Sequence, residues 1–402
     1  INGSIRTDRT NLYGTSSEYQ GKPIWSTGVA WRIDQEEFFK AGWVNMLKLR
    51  ASYGIGGNIA KNRWPYTVAW YSTNTHPGVG GIQGSISSRP NPKLRWEKTT
   101  TTNVGVDFAL FSNRLNGSVE YYNKKGTDLL ASSNGVSVEG QGFSTNVINN
   151  GEMTNRGFEL NINGTIIQNR DWSWTMQGVI GYNHSEVDYV NVEAPVYFLQ
   201  LDQPEAFPRV GVPFTALYGY KWAGLSAEGQ VYDAEGNICT SNTPTNLDDI
   251  IYLGSYTPTY SGSLSTNLRW RDLTLSALFL FEGGHKLRCT DFTYNDRWKT
   301  PGDEDVTDVP RYVAGENPSL YCNMDLYNRS SAVICDASNI RFRNLSLSYN
   351  VPGLWCSKFY AKEARLMLGM ENIAVFAKSK AAKHSIGGYQ KPTYMLSLNL
   401  GF

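Results

Sequence analysis

Tyr394-Met395-Leu396-Ser397-Leu398-Asn399-Leu400-Gly401-Phe402 closes the chain. Tyr394, Leu396, Leu398, Leu400 and Phe402 fall on alternate positions, with Ser397, Asn399 and Gly401 between them. Successive side chains of a strand point to opposite faces, so this spacing is a strand with one large apolar face and one small, polar face. The question it sets is what kind of sheet needs such a strand.

The same period recurs along the whole chain. It is found at Trp25-Thr27-Val29-Trp31-Ile33, at Leu47-Leu49-Ala51-Tyr53-Ile55 and at Val104-Val106-Phe108-Leu110. Further on come Leu115-Gly117-Val119-Tyr121, Phe158-Leu160-Ile162 and Trp172-Trp174-Met176-Gly178-Ile180-Tyr182. The last group is Leu264-Thr266-Leu268-Trp270, Leu273-Leu275-Ala277-Phe279-Phe281 and Leu366-Leu368-Met370. One segment changes phase, from Ile340 and Phe342 to Leu345, Leu347 and Tyr349, which predicts a β-bulge near Arg343-Asn344.

The connections are of two kinds. Those around residues 111–114, 168–170 and 269–272 are very short, whereas 56–94, 132–153, 187–257, 289–336 and 378–391 read as long loops. Short turns at one end and long loops at the other are the habit of outer-membrane β-barrels, and a soluble sandwich has no reason to sort its loops by end. Roughly 12 antiparallel strands result, the first near residues 1–9 and the last at 392–402. Phe214-Thr215-Ala216-Leu217-Tyr218-Gly219-Tyr220 is strand-like but would upset that parity, so it belongs to a loop excursion.

Composition agrees. Aromatic residues make up 13% of the 402, Gly numbers 39, and charged residues are 18%, below the roughly 25% of soluble domains. Lys plus Arg (37) balances Asp plus Glu (36), which gives no reason to expect nucleic acid. No apolar run reaches the roughly 18 residues of a membrane helix, but a barrel strand hides its apolar half in alternation. The face opposite the apolar one carries Gly, Ser, Thr and Asn rather than Lys and Glu, as suits a lumen better than bulk water. A soluble propeller would need blade repeats, and none occur. The opening Ile1-Asn2-Gly3 has neither an initiator Met nor a signal peptide, which suggests numbering from within a longer or processed protein.

Several segments carry a family likeness. Leu47-Lys48-Leu49-Arg50-Ala51-Ser52-Tyr53-Gly54, Asn91-Pro92-Lys93-Leu94-Arg95-Trp96-Glu97-Lys98-Thr99-Thr100 and Asn113-Arg114-Leu115-Asn116-Gly117-Ser118-Val119-Glu120-Tyr121-Tyr122 resemble the SusC/RagA family of TonB-dependent outer-membrane transporters. Asn155-Arg156-Gly157-Phe158-Glu159-Leu160 and Ala337-Ser338-Asn339-Ile340-Arg341-Phe342-Arg343-Asn344-Leu345-Ser346-Leu347 extend the likeness. It implies an all-β transmembrane barrel of 22 strands, of which residues 1–402 supply the C-terminal half. The plug domain and the first barrel strands would come from an N-terminal half. It also implies import of an oligosaccharide or a peptide with a SusD-like surface lipoprotein, powered by the TonB system, in the outer membrane of a Gram-negative bacterium. The terminal strand resembles the signal that the barrel-assembly machinery reads, with Phe402 as its last residue. A self-closed barrel with an adhesive role and no transport is the alternative.

No enzyme is expected. His76, His184, His285 and His384 stand singly, without a nucleophile elbow or a metal-ligand pair. Asp233, Glu235 and Asn237 alternate oxygen-bearing side chains as a structural Ca2+ loop does, but Ile238 follows and no bidentate Glu closes the set, which favours a plain polar turn. Trp64, Tyr66, Trp70 and Tyr71 lie in one predicted loop, and Tyr294, Trp298 and Tyr312 in another. Such rings either stack on sugars and hold peptide side chains or pack the loops together. Cys289 and Cys335 lie at the base of one loop on neighbouring strands, where an oxidising compartment would allow a disulfide.

Overall fold

The computed structural model describes all residues except 13–16, 62–64, 73–81, 89, 135–144, 195, 225–230, 240–245, 291–323 and 388–389. One antiparallel sheet of 12 strands dominates it. We number its strands in chain order. The first four are β1 (Asn2–Arg9), β2 (Gly21–Arg32), β3 (Val44–Asn58) and β4 (Glu97–Leu110). Then come β5 (Leu115–Asn134), β6 (Thr145–Gln168), β7 (Trp172–Tyr189) and β8 (Tyr260–Trp270). The sheet finishes with β9 (Leu273–Gly283), β10 (Asn339–Asn350), β11 (Glu363–Ala377) and β12 (Thr393–Gly401). Every strand pairs with its sequence neighbours, so β1 and β12 form the two edges.

Register explains why each face is uniform. Val104 lies opposite Tyr121, Tyr121 opposite Phe158, Phe158 opposite Tyr182 and Tyr182 opposite Tyr260, a continuous row of large side chains on one face. Two polar side chains on that face are satisfied locally. The Trp174 indole N–H donates to Thr266 Oγ1 at 2.9 Å, and the Thr27 hydroxyl to the Asn2 carbonyl at 3.3 Å. An unmet donor in apolar surroundings would cost several kcal/mol, and these bonds satisfy the Trp174 indole N–H and the Thr27 hydroxyl on the apolar face. No described helix is long and apolar enough to cross a membrane.

The expected bulge is present: pairing slips between Phe342 and Asn344 against β11. The facing slip on β9 falls between Leu278 and Phe279. Between β4 and β5 the chain reverses through Phe111, Ser112 and Asn113, whose φ values of 54°, 56° and 63° put three consecutive non-glycine residues in the left-handed region. Each costs about 1–2 kcal/mol there. Neighbours hold the turn: the Phe111 ring stacks on Trp43 at 5.7 Å, and the Asn113 N–H donates to Asn45 Oδ1 at 3.2 Å.

The predicted loop 132–153 is too long, because β5 runs to Asn134 and β6 starts at Thr145. Val147-Ile148-Asn149-Asn150-Gly151-Glu152 has no alternating apolar face, so on β6 the hydrogen bonding begins before the sequence signal does. The other long connections also contain structure. Residues 56–94 include a hairpin, Val68–Ser72 with Gln83–Ser88. The excursion after β7 forms a three-stranded sheet of Val231–Tyr232, Ala216–Trp222 and Ile250–Ser255, so the strand-like stretch before Tyr220 lies outside the main sheet as expected. A second hairpin, Lys286–Arg288 with Ile334–Asp336, follows β9, and the helix Lys380–Ser385 follows β11.

Candidate functional site

The polar face of the sheet carries a charge network built by register. Arg50 on β3 lies opposite Gly105 on β4, which lies opposite Glu120 on β5. With no side chain at Gly105, the Arg50 guanidinium passes over it and its Nη2 donates to Glu120 Oε1 and to Asp107 Oδ1, each at 2.7 Å. Asn103 donates to the other Glu120 oxygen at 3.2 Å, and the Lys48 ammonium stands 3.6 Å from Asp107. Sharing one guanidinium between two carboxylates fixes three strands relative to each other. Because these side chains are partly wet, the gain is closer to that of a surface pair than of a buried one.

At the loop end a brace of Arg95, Asp128 and Asn149 ties the segment ahead of β4 to β5 and β6, and sequence reasoning missed it. Arg95 Nε and Nη2 donate to Asp128 Oδ1 at 3.0 and 2.6 Å. The Asn149 amide nitrogen donates to the carbonyls of both Arg95 and Asp128 at 2.7 Å. Beside it, the buried Leu94 and Trp96 pack on Leu12, Ile59 and Leu130, and the Trp96 indole reaches the Gln20 carbonyl at 3.1 Å. The signal was the Asn91-to-Trp96 stretch itself: two apolar residues in a polar run, two apart, just before a strand.

Beyond β7 and β9 the two longest excursions fold into one body. Ala216, Tyr218, Tyr220, Val231 and Ile250 of the first share a buried cluster with Leu326 of the second. Tyr220 bridges to Ser330, and its N–H donates to the Arg329 carbonyl at 3.0 Å. Arg288 donates to the Asn328 and Tyr218 carbonyls at 2.5 Å, and Arg209 to those of Ile250 and Leu247 at 2.7 and 3.1 Å. Burial lowers the Arg288 pKa and raises that of the Tyr220 phenol.

The residues picked out from sequence are scattered. Trp70 and Tyr71 sit on the hairpin strand Val68–Ser72, both strongly exposed, as is Tyr66 ahead of it. As strand neighbours, Trp70 and Tyr71 point to opposite faces, and the Tyr71 ring covers Gly84. They do not form a single platform. Trp64, Tyr294, Trp298 and Tyr312 lie outside the described residues. Asp233, Glu235 and Asn237 occupy a tight reversal with Gly236 at φ 86°. The Asp233 carboxylate there accepts the Asn237 N–H at 2.7 Å, a polar turn closed on itself. Among the described residues no group of three His, Cys, Asp or Glu is placed to hold a metal.

The possible Cys289–Cys335 disulfide is not formed between these two residues. Cys335 lies opposite Leu287, whereas the Cys289 N–H donates to the Val333 carbonyl, so the two sulfurs are staggered along the hairpin. Each S–H instead points at a backbone carbonyl, Leu287 for Cys289 and Val333 for Cys335, at 3.9 Å. Tyr394, Leu396, Leu398, Leu400 and Phe402 are exposed along the edge strand β12.

Residues 1–373 match the family model described as TonB dependent receptor-like, beta-barrel. The chain belongs to this TonB-dependent receptor family. It is 26% identical over 409 residues to TonB-dependent receptor P3 of Formosa agariphila, covering 93% of this chain and 39% of that protein. With TonB-dependent receptor SusC of Bacteroides thetaiotaomicron the identity is also 26%, over 100% of this chain and 41% of SusC. Among solved structures, the RagAB peptide transporter superposes with a TM-score of 0.77 at 25% identity, covering all of this chain and 45% of that one. The chain thus spans less than half the length of these relatives. As a TonB-dependent receptor barrel segment of SusC/RagA type, its apolar face is the lipid face, its polar face lines the lumen, and the membrane is the outer membrane.

Proposed function

We propose that this chain is the C-terminal half of a SusC-type TonB-dependent transporter that imports an oligosaccharide or a peptide with the help of a SusD-like surface lipoprotein. The observation that carries the reading is the pair of sheet edges: β1 and β12 each have one hydrogen-bonded neighbour. An open edge in hydrocarbon leaves a row of N–H and C=O groups unmet, so a spanning sheet needs strands to close it. An N-terminal half supplies those strands and a plug that fills the lumen against the charge network of Arg50, Asp107 and Glu120. The solute is captured outside, between the loops and the lipoprotein. TonB-driven movement of the plug then lets it through. The peptide-transporting neighbour favours a peptide; the exposed Tyr66, Trp70 and Tyr71 suit either solute. The protein crosses the outer membrane many times by strands and performs no catalysis.

Intact-mass analysis and co-purification from native outer membranes test this. The expected result is a plug-bearing segment, in the same polypeptide or bound to it, with a surface lipoprotein alongside. A 44.9 kDa species closing its own barrel without a plug would overturn the reading and favour an adhesive role.

A further inference from the structure

The hairpin Lys286–Arg288 with Ile334–Asp336 is the neck through which the excursion after β9 joins the wall, while the excursion after β7 is tied to the wall separately, by Val187 to Val212 and Asn183 to Thr259. Arg288 at its far end holds the Tyr218 and Asn328 carbonyls. Four contacts clamp its near end beside β9, β10 and β11. The Ala337 N–H donates to the His285 carbonyl at 3.1 Å, and the Gly284 N–H to Ser338 Oγ at 3.3 Å. The Asp336 carboxylate accepts from the Ser338 hydroxyl at 2.7 Å and from the Lys378 ammonium at 2.9 Å.

His285 sits inside this clamp. Its side chain is buried, with the residue 4% exposed, and among the described residues its Nδ1 has no hydrogen-bond partner. The charged groups around it are already engaged. Glu282 accepts from Arg341 at 3.3 Å, and Asp336 holds Ser338 and Lys378 with Lys286 at 3.7 Å. The helix Lys380–Ser385, packed on the neck through Ala381 and Ala382, carries Lys380, Lys383 and His384. Burial disfavours the charged ring more than Glu282 and Asp336 favour it, which lowers the His285 pKa.

We propose that His285 is an acid-triggered latch on the loop neck. Protonation adds a buried charge and a second N–H donor with no acceptor placed to meet it among the described residues, because Glu282 and Asp336 are committed elsewhere. The neck then opens to supply one, and the excursion after β9 that it carries loosens at its base. The sign follows from linkage: a histidine whose folded pKa lies below its ordinary value contributes stability at neutral pH that is lost as pH falls below about 6.5. Nothing in this latch depends on which solute is carried.

Hydrogen exchange of the full-length protein in detergent micelles, read by mass spectrometry at pH 7.5 and 5.5 and corrected for intrinsic rates, tests the latch. Amides of 284–288 and 333–338 should lose protection about tenfold at the lower pH in the wild type and in His384→Gln, and not in His285→Gln, while β4–β7 stay protected throughout. An equal loss in His285→Gln, or none in the wild type, overturns the proposal. If His285→Gln fails to assemble, 13C-histidine NMR of the unaltered protein decides instead. The exchange midpoint must coincide with titration of a ring below the ordinary histidine range, and a mismatch overturns the latch.

Discussion

Arg50 and Glu120 are two strands apart, yet their side chains meet at 2.7 Å because Gly105, between them, has no side chain to keep them apart. A Cβ at Gly105 would stand 3.2 Å from Glu120 Cγ and 3.3 Å from Arg50 Nη2. Gly105→Leu should therefore break both carboxylate contacts and cost about 1–2 kcal/mol, a figure that already allows for solvent screening of partly exposed charges. Urea unfolding in micelles reads it. Gly178→Leu is the control: a Cβ at Gly178 meets nothing within 4 Å, so that variant should keep wild-type stability.

Gly219 couples the two loop excursions. A Cβ there would lie 2.4 Å from the Arg329 carbonyl, which is backbone and has little room to give. Gly219→Ala should cost about 2 kcal/mol locally. It should speed proteolysis of both excursions at once and leave the barrel intact on gels run without heating. Cleavage of one excursion alone would show that they are not coupled.

Asp336 gives the neck a second acid limit, distinct from that of His285. The Ser338 hydroxyl, with Lys378 and Lys286, holds its carboxyl well below the ordinary carboxylate range. A depressed carboxylate pKa contributes stability that is complete above about pH 4 and disappears as pH falls through the folded value. Asp336→Asn should therefore loosen the neck at neutral pH and leave it less sensitive to acid below pH 4 than the wild type, as hydrogen exchange across pH 2.5–7 would record.

Trp70 and Tyr71 offer aromatic surface on both faces of the small hairpin, and Trp64 belongs to the same loop. Trp70→Ala, alone and with Trp64→Ala, should weaken solute binding by about 1 kcal/mol per ring, roughly fivefold in Kd, with normal assembly. Calorimetry against a panel of oligosaccharides and peptides would measure it. Unchanged affinity across a panel that does bind would assign the rings to loop packing.

Phe402 is 73% exposed at the end of β12, and the Lys362 ammonium holds its carbonyl at 2.9 Å. Deleting Phe402 should lower the amount of assembled barrel in the outer membrane several-fold while leaving synthesis unchanged, as immunoblots of heated and unheated samples would report.

The wall of the barrel was legible because lipid imposes one rule on every strand: alternate residues such as Trp172, Trp174 and Met176 must be apolar, and the spacing announces itself without knowledge of any partner. The phase change at Arg343 was readable for the same reason. The loop end obeys no such rule. Tyr220 is fully buried by Leu326, more than a hundred residues away, and Arg288 is satisfied by carbonyls at Tyr218 and Asn328. A carbonyl leaves no mark in a sequence. The brace of Arg95, Asp128 and Asn149 was hidden likewise, since each residue alone resembles an ordinary polar loop residue. The Cys289–Cys335 pairing failed on register, which proximity of strand ends does not determine.

The turn at Phe111, Ser112 and Asn113 has a consequence for how the protein comes to exist. Three adjacent residues in a left-handed conformation amount to a spring, and what keeps it wound belongs to another hairpin: the Trp43 ring and the Asn45 amide. The β4–β5 hairpin is therefore expected to close late rather than to seed insertion, since its own Arg114-to-Phe111 hydrogen bond is all that the hairpin backbone adds to the turn. It closes after β3 is in place, zipping downward from the opposite end, and a peptide spanning residues 97–134 on its own should remain open at its tip.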